Sequence, residues 1–304
     1  MVPREAALEL LGLVSRDQHR LLAMPWESPE RTRWQYTPGA RPGLALADMD
    51  AVQRDAALAL LRTALSERGF ASAWAVMALE SVLHDLEERQ GRPGFERRDP
   101  LHYWFAVFGS PDGQEPWGWR VGGHHVCVHV TVAGSTSVVL PLFLGANPAT
   151  APDGSRTLAE EEDLARELVL SLDESRLGRA VLSDEAPSDI LTGNATRAEL
   201  SAVPSGIGYD ELEPPEQLKL AALFDWYAGR SDPSPTVHPE EATFAWLGST
   251  SPGEGHYYAL RAGSLFVELD NTQNGANHVH TVLRDVRRDW GEDLLAGHYA
   301  SHHG

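Results

Sequence analysis

From Tyr103 to Leu144 apolar residues recur at every second position, in the runs WFAVFG, GWRV, HHVCVHVTV and SVVLPLFL, separated by turn-forming segments such as SPDG and AGS. A period of two turns one face of each run toward a core, and such short breaks leave room only for hairpins, so this stretch is predicted to be an antiparallel sheet. Ahead of it the apolar spacing is helical, over Pro3 to about Ala23 and twice more between Asp48 and Glu88. Between those helices, PWESPERTRWQYTPGARPG is rich in proline and glycine and is predicted to be a loop that Trp26, Trp34 and Tyr36 fasten to the body. The order then returns. A helix LAEEEDLARELVLSL, a Gly/Pro-rich stretch over 183–215, a helix around Glu216–Tyr227 and short strands from Thr243 to Leu283 follow one another.

Residue matches support reading this as an internal duplication. FAVFG at 105–109 meets FAWLG at 244–248 at an offset of 139, which also carries Ser110 onto Ser249 and His129 onto Glu268. Asp17, Arg20 and Leu21 match Asp173, Arg176 and Leu177 at 156, and Gln53 and Ala57 match Gln217 and Ala221 at 164. Changing offsets mean loop insertions between conserved units of structure. The expected fold is α+β, with two pseudo-repeated halves packed together, each a helical segment followed by a small antiparallel sheet. The first half spans 1–150 and the second 151–304.

Composition narrows the function classes. One cysteine, Cys127, excludes an internal disulfide framework and zinc ribbons, so a metal site must be built from histidine and carboxylate. A net charge of −19 spread over the chain argues against nucleic acid, whose binding needs Lys and Arg to neutralise phosphates. Arg4, Glu5, Glu9 and Arg16 interrupt any apolar signal region, and no run of 18 apolar residues occurs, which sets a membrane aside and predicts a cytoplasmic protein.

Two clusters could carry chemistry. In GGHHVCVHVTV, alternation sends Val126 and Val128 to one face and His125, Cys127 and His129 to the other, with His124 at the strand's mouth. Histidines at i and i+4 on a strand lie about 13 Å apart, so they cannot all bind one ion unless the strand bends near Gly122 and Gly123. In SLFVELDNTQNGANHVHTVLRD, His278 and His280 leave the same face of a returning strand, and the opposing strand offers Glu268 or Asp270 on the same parity. Two imidazoles and a carboxylate from adjacent strands can hold Fe(II), Mn(II), Cu(II) or Zn(II) with positions left open. Against this stands the bland reading. His-x-His arises by chance among thirteen histidines, and polar strand faces are commonly just solvated.

Other residues are weaker candidates. His256, Tyr257 and Tyr258 read as sheet-core aromatics with polar tips. Arg120 could grip a substrate carboxylate bidentately or pair with an acidic neighbour. Cys127 could be a soft ligand or a small buried residue. His298, His302 and His303 read as solvated. No dinucleotide, P-loop, serine-hydrolase or zincin motif is present.

The stretches ERTRWQYTPGARPGLALADMD, WGWRVGGHH, LFLGANPA, DILTGN, FVELDNTQNGANHVHTVLRD and GEDLLAGHY, in this order, resemble the DUF3500 family over nearly the whole chain. The resemblance implies that His124 with His125, and His278 with His280, are family features, and that His129 and Cys127 depart from the family pattern. It does not name a reaction. The functional expectation is a metal-dependent enzyme, an oxidoreductase acting on a small polar substrate. A transition metal, iron or copper ahead of zinc or manganese, would be held by His125, His278, His280 and Glu268. His124 and Asp270 would serve proton transfer and Arg120 would anchor substrate. A zinc-dependent hydrolase, a non-catalytic small-ligand module and a purely structural histidine network are the alternatives.

Overall fold

In a computed structural model, residues 1–302 are described, with side chains described through Ala300, so the His302 and His303 side chains lie outside the described residues. The fold is mixed α+β, with eight α-helices and mostly antiparallel strands among the described residues. Packing divides the chain into one unit of Met1–Leu142, Arg230–Ser234 and Arg287–Gly304 and another of Phe143–Gly229 and Pro235–Val286. No helix among the described residues is long and apolar enough to cross a membrane.

The first unit opens with α1 (Pro3–Leu13) and α2 (Arg16–Leu22), then β1 (Ala23–Met24), β2 (Leu44–Ala45), α3 (Ala51–Arg62) and α4 (Glu67–Arg89). The single helix expected over Pro3 to Ala23 is broken in two at Val14 and Ser15. The Ser15 hydroxyl accepts from the Gln18 amide while the Gln18 side chain accepts from the Ser15 amide, a reciprocal cap that starts a new helix. Four strands follow, β3 (Tyr103–Phe108), β4 (Trp117–Gly123), β5 (Val126–Ala133) and β6 (Thr136–Ala146), and the chain leaves the first unit within β6. They lie in the order β1-β3-β4-β5-β6, with β2 also on β3; β1 alone is parallel to its neighbour. The sheet face bearing Phe105, Trp119, Val121 and Val128 is fully apolar and buried. The opposite face bears Arg120, Gly122, Cys127 and His129 and is crossed by the irregular 25–43 loop.

The second unit contains α5 (Ala159–Ser171), α6 (Glu174–Ala180), β7 (Val181–Ser183), β8 (Ile207–Gly208), α7 (Pro214–Ala228), β9 (Ala242–Gly248), β10 (His256–Ala262), β11 (Leu265–Asn271) and β12 (Val279–Asp285). Its strands run β12-β11-β10-β9-β7 with β8 on β9, and β7 is parallel to β9. One sheet face is closed by α5 and α7: the Tyr258 hydroxyl donates to the Glu161 carbonyl at 2.8 Å and that of Thr281 to Tyr227 at 3.1 Å. The other face carries Tyr257, Glu268, Asp270 and His280 and lies under the 184–206 loop. A last helix, α8 (Glu292–His302), belongs to the first unit, and His298 on it is half-buried.

Gly123 closes β4 where a side chain has no room. A Cβ there would overlap the Tyr103 ring and lie 2.9 Å from the His102 carbonyl oxygen. Tyr103 needs that place, because its hydroxyl donates at 2.9 Å to the His124 carbonyl and fixes the β4–β5 turn. Gly123→Ala is therefore expected to lower unfolding free energy by about 1–3 kcal/mol, the usual cost of overpacking. A urea titration of the variant that matches wild type would refute this account of the turn.

Candidate functional site

The second unit concentrates its polar groups on the β11–β12 face. Asp270 stands directly across from His280, so their side chains leave the same side of the ladder, and His278 lies in the turn just ahead of β12, with its ring brought against that of His280. The His278 and His280 rings meet edge to face with centroids 4.6 Å apart, and their ligating nitrogens lie within 4.8 Å of each other. His278 is fixed through its backbone amide, which donates at 3.0 Å to the Asn271 side-chain oxygen. His280 is 4 % exposed, and its Nδ1 lies 2.8 Å from Asp189 Oδ1. With Asp189 as acceptor, Nδ1 carries the proton and the Nε2 lone pair becomes the coordinating one.

Glu268 is fully buried and held by the DILTGN segment. The Leu191 amide donates at 2.5 Å and the Thr192 amide at 3.2 Å; the Thr192 hydroxyl and the Tyr257 hydroxyl, the latter at 2.8 Å, complete the set. Burial raises the Glu268 carboxyl above the ordinary carboxylate range, and the donors from Thr192, Tyr257 and Leu191 pull it back. Its oxygens are thus engaged in tying loop to sheet. Asp270 is less enclosed by donors. Burial pushes its carboxyl up to about 7, the charges of Asp189 and Glu268 add to the rise, and the Thr272 hydroxyl and amide oppose it. It is the group on this face poised to exchange a proton near neutrality.

In the first unit His124 and His125 form the turn of the β4–β5 hairpin and are not strand residues, so His125 does not share a stripe with Cys127 and His129. His125 sits in the left-handed region at φ 64°, and its amide donates at 3.0 Å to the Tyr36 carbonyl. The rings of His124 and His125 stack at 3.7 Å. His124 Nδ1 is bound by the Glu80 carboxylate from α4 and lies 3.3 Å from Arg98. Arg98 in turn makes two 2.8 Å bonds to Glu87. A cleft of about 440 Å³ lies against this group, lined by Glu80, Arg97, Arg98, His102, Trp104 and His124.

Arg120 is only 4 % exposed, and its guanidinium is spent on the loop above it. It donates to the carbonyls of Glu30, Arg33 and Pro42 and pairs with the Glu30 carboxylate at 3.3 Å. Cys127 Sγ donates to the Gln35 carbonyl at 3.0 Å, and His129 packs edge-on against Trp290 at 4.7 Å. His256 is buried and stacks on Trp246 at 4.8 Å, as expected of a core aromatic; Tyr257 is likewise buried, with its hydroxyl tip on Glu268. Asp189, Thr192 and Glu80 were not singled out from sequence as site residues. The first two stand in a motif whose backbone must find partners, which is a usable signal; Glu80 is one acid among many on an amphipathic helix and carries none.

The Arg98 bond holds the Glu87 carboxyl below its ordinary range. A depressed folded-state pKa contributes stability that is present above the unfolded-state pKa and lost as pH falls through the folded one. Glu87→Gln is expected to cost about 1.5–3 kcal/mol at pH 7 and progressively less as acid protonates the wild-type pair. Urea titrations at neutral and acidic pH check this, and an unchanged difference between the two proteins across that range would contradict it.

No curated protein and no solved structure matches the chain. Residues 3–292 match the family described as "Protein of unknown function (DUF3500)", and with nearly its whole length covered the chain belongs to that family.

Proposed function

We propose that this protein is a cytoplasmic metal-dependent enzyme, an oxidoreductase acting on a small polar substrate, with His278 and His280 as the core of its metal centre. The observation that carries the reading is the Asp189–His280 contact beside His278. A carboxylate on Nδ1 of one imidazole, with a second imidazole against it, is the arrangement that orients histidine Nε2 toward a metal. Nitrogen and oxygen donors with open positions suit iron or copper, which do redox work, and also zinc, which would make the bound water a nucleophile.

The sequence reading adds His125 as a third imidazole and Glu268 as the carboxylate ligand. The left-handed backbone of His125 favours a functional role, since a non-glycine residue there costs about 1–2 kcal/mol that glycine would spare. The four donors already on Glu268 favour moving the carboxylate role to Asp270, across the ladder from His280. His124, with Glu80 on Nδ1, keeps the role of proton carrier at its cleft. Arg120 as substrate anchor has less support, because backbone carbonyls occupy it.

We also infer that the two units arose by duplication, and their strand registers support it. β4 pairs Trp117 with Val132 and β10 pairs His256 with Asn271; β3 pairs Tyr103 with Gly123 and β9 pairs Ala242 with Ala262. Each pair follows from the other at the offset of 139. The parallel β1 and β7 and the antiparallel β2 and β8 sit on equivalent residues of β3 and β9, and α1 packs on α3 as α5 does on α7.

Elemental analysis of purified, tag-free protein tests the metal reading. Near-stoichiometric iron or copper is expected in the wild type and none in a folded His278→Ala/His280→Ala variant, and Asp189→Asn should weaken metal binding by roughly 10–100-fold. Zinc in place of iron or copper would turn the reading to hydrolysis. Full metal content in the double variant would sink it.

A further inference from the structure

We propose that the cavity beneath the 25–43 loop of the first unit binds a small organic carboxylate. The cavity measures about 270 Å³ and is lined by Trp34, Arg41, Arg120, Gly122, Cys127 and His129, with Glu30, Arg33, Ala40 and Pro42 at its walls. It lies wholly within the first unit, so the proposal stands independently of the metal centre.

Its space comes from Gly122. Arg120 pairs with His129 and Gly122 with Cys127 across β4 and β5, so all four positions face the loop. A Cβ on Gly122 would meet nothing nearer than Arg41 Cγ at 3.9 Å, which leaves the middle of that face open under the loop. The volume is below the roughly 300–1,000 Å³ of sites for drug-sized ligands and suits something smaller.

Its charge is opposite to that of the molecule. Arg33, Arg41 and Arg120 line a cavity that holds one acidic residue, Glu30, in a chain of net charge −19, and the Arg41 and Arg120 side chains are the more enclosed of the three cations. Glu30 is shared, pairing with Arg33 at 3.1 Å and Arg120 at 3.3 Å. Arg41 spends its terminal nitrogens on backbone carbonyls, those of Gly39 at 2.7 Å, Gln35 at 3.2 Å and Thr37. Its Nε is buried with no acceptor among the described residues. A buried donor on a cation is expensive to leave unmade, and a ligand oxygen in the cavity would satisfy it with charge assistance. Burial lowers the pKa of Arg41 and of Arg120, and at Arg120 the Glu30 carboxylate opposes the shift.

The remaining wall selects the ligand's other end. Trp34 is 4 % exposed and, with Ala40 and Pro42, gives an apolar surface for a flat or aliphatic body. Burial raises the Cys127 thiol to about 11, so it stays neutral and does not compete as an anion. A carboxylate on a short apolar frame fits both ends; a compact, fully hydrated anion fits only one.

Benzoate, its neutral isostere benzamide, and inorganic phosphate are the probes. With the full-length protein, titration calorimetry should give one benzoate per chain and at least tenfold weaker binding of benzamide and of phosphate. Benzoate should also slow modification of Cys127, the chain's single cysteine, by methyl methanethiosulfonate. Arg41→Met should weaken benzoate at least tenfold. Gly122→Val, which fills the space without altering charge, should abolish binding while the circular dichroism spectrum stays that of the wild type. The proposal is overturned if benzoate gives neither heat nor protection of Cys127, if benzamide binds equally well, or if phosphate binds in its place.

Discussion

Each unit covers one face of its sheet with a long irregular loop, and an irregular backbone cannot satisfy its own amides and carbonyls once it is buried. The strands supply the missing partners. Arg120 on β4 takes the carbonyls of Glu30, Arg33 and Pro42. On the second sheet Glu268 takes the amides of Leu191 and Thr192, while Arg284 takes the carbonyls of Ala195 and Thr196 and Arg261 that of Val203. Charged side chains that would be costly on a buried sheet face have that cost offset there because they bind backbone groups that would otherwise be orphaned.

The same device gives the two units different chemistry. At the inferred offset of 139, Arg120 corresponds to Ala259 and His129 to Glu268. The first loop is therefore held by its carbonyls and the second, at the corresponding place, by its amides. Holding carbonyls needs donors, and at the first unit's cavity the guanidiniums of Arg41 and Arg120 supply them. Holding amides needs an acceptor, here Glu268, and on the face the loop buries Asp270 ionises less readily, chiefly because it is desolvated, with the charges of Asp189 and Glu268 adding to the rise. A proton-exchanging carboxyl beside His280 is thus a consequence of how the loop is fastened.

The strands were legible in the sequence because one face packs apolar side chains while the other, buried under a loop, carries polar ones, and the resulting alternation runs through Val126–Ala133 and Leu265–Asn271. The helical offsets were less legible. Ser15 and Asp173 both cap a helix, and Gln53 and Glu216 both stand third in a capping box; under the proposed duplication these caps would correspond at 158 and 163, beside the residue matches at 156 and 164. Caps and residue identities need not coincide, because a cap needs only a side-chain acceptor of suitable reach, and several residues qualify. His125 was misread as a strand residue because its placement depends on the turn, and a left-handed backbone at a histidine leaves no mark in the hydrophobic pattern.

The partners that matter most at the His278–His280 face come from sequence far away. Asp189 lies 91 positions before His280 and Thr192 76 before Glu268. Neither belongs to a periodic element, so nothing local predicts where its side chain goes. What the sequence did carry was DILTGN itself, polar residues around the apolar pair Ile190 and Leu191 inside a stretch otherwise read as loop. Its polar groups are matched to the groups they meet: two successive amides and a hydroxyl for one buried carboxylate, and a carboxylate for one imidazole nitrogen. A loop selected only to connect β7 to β8 would need none of these. The pairing of Asp189 with a histidine, where Glu268 already anchors the loop, is the part of the arrangement that fastening alone does not require.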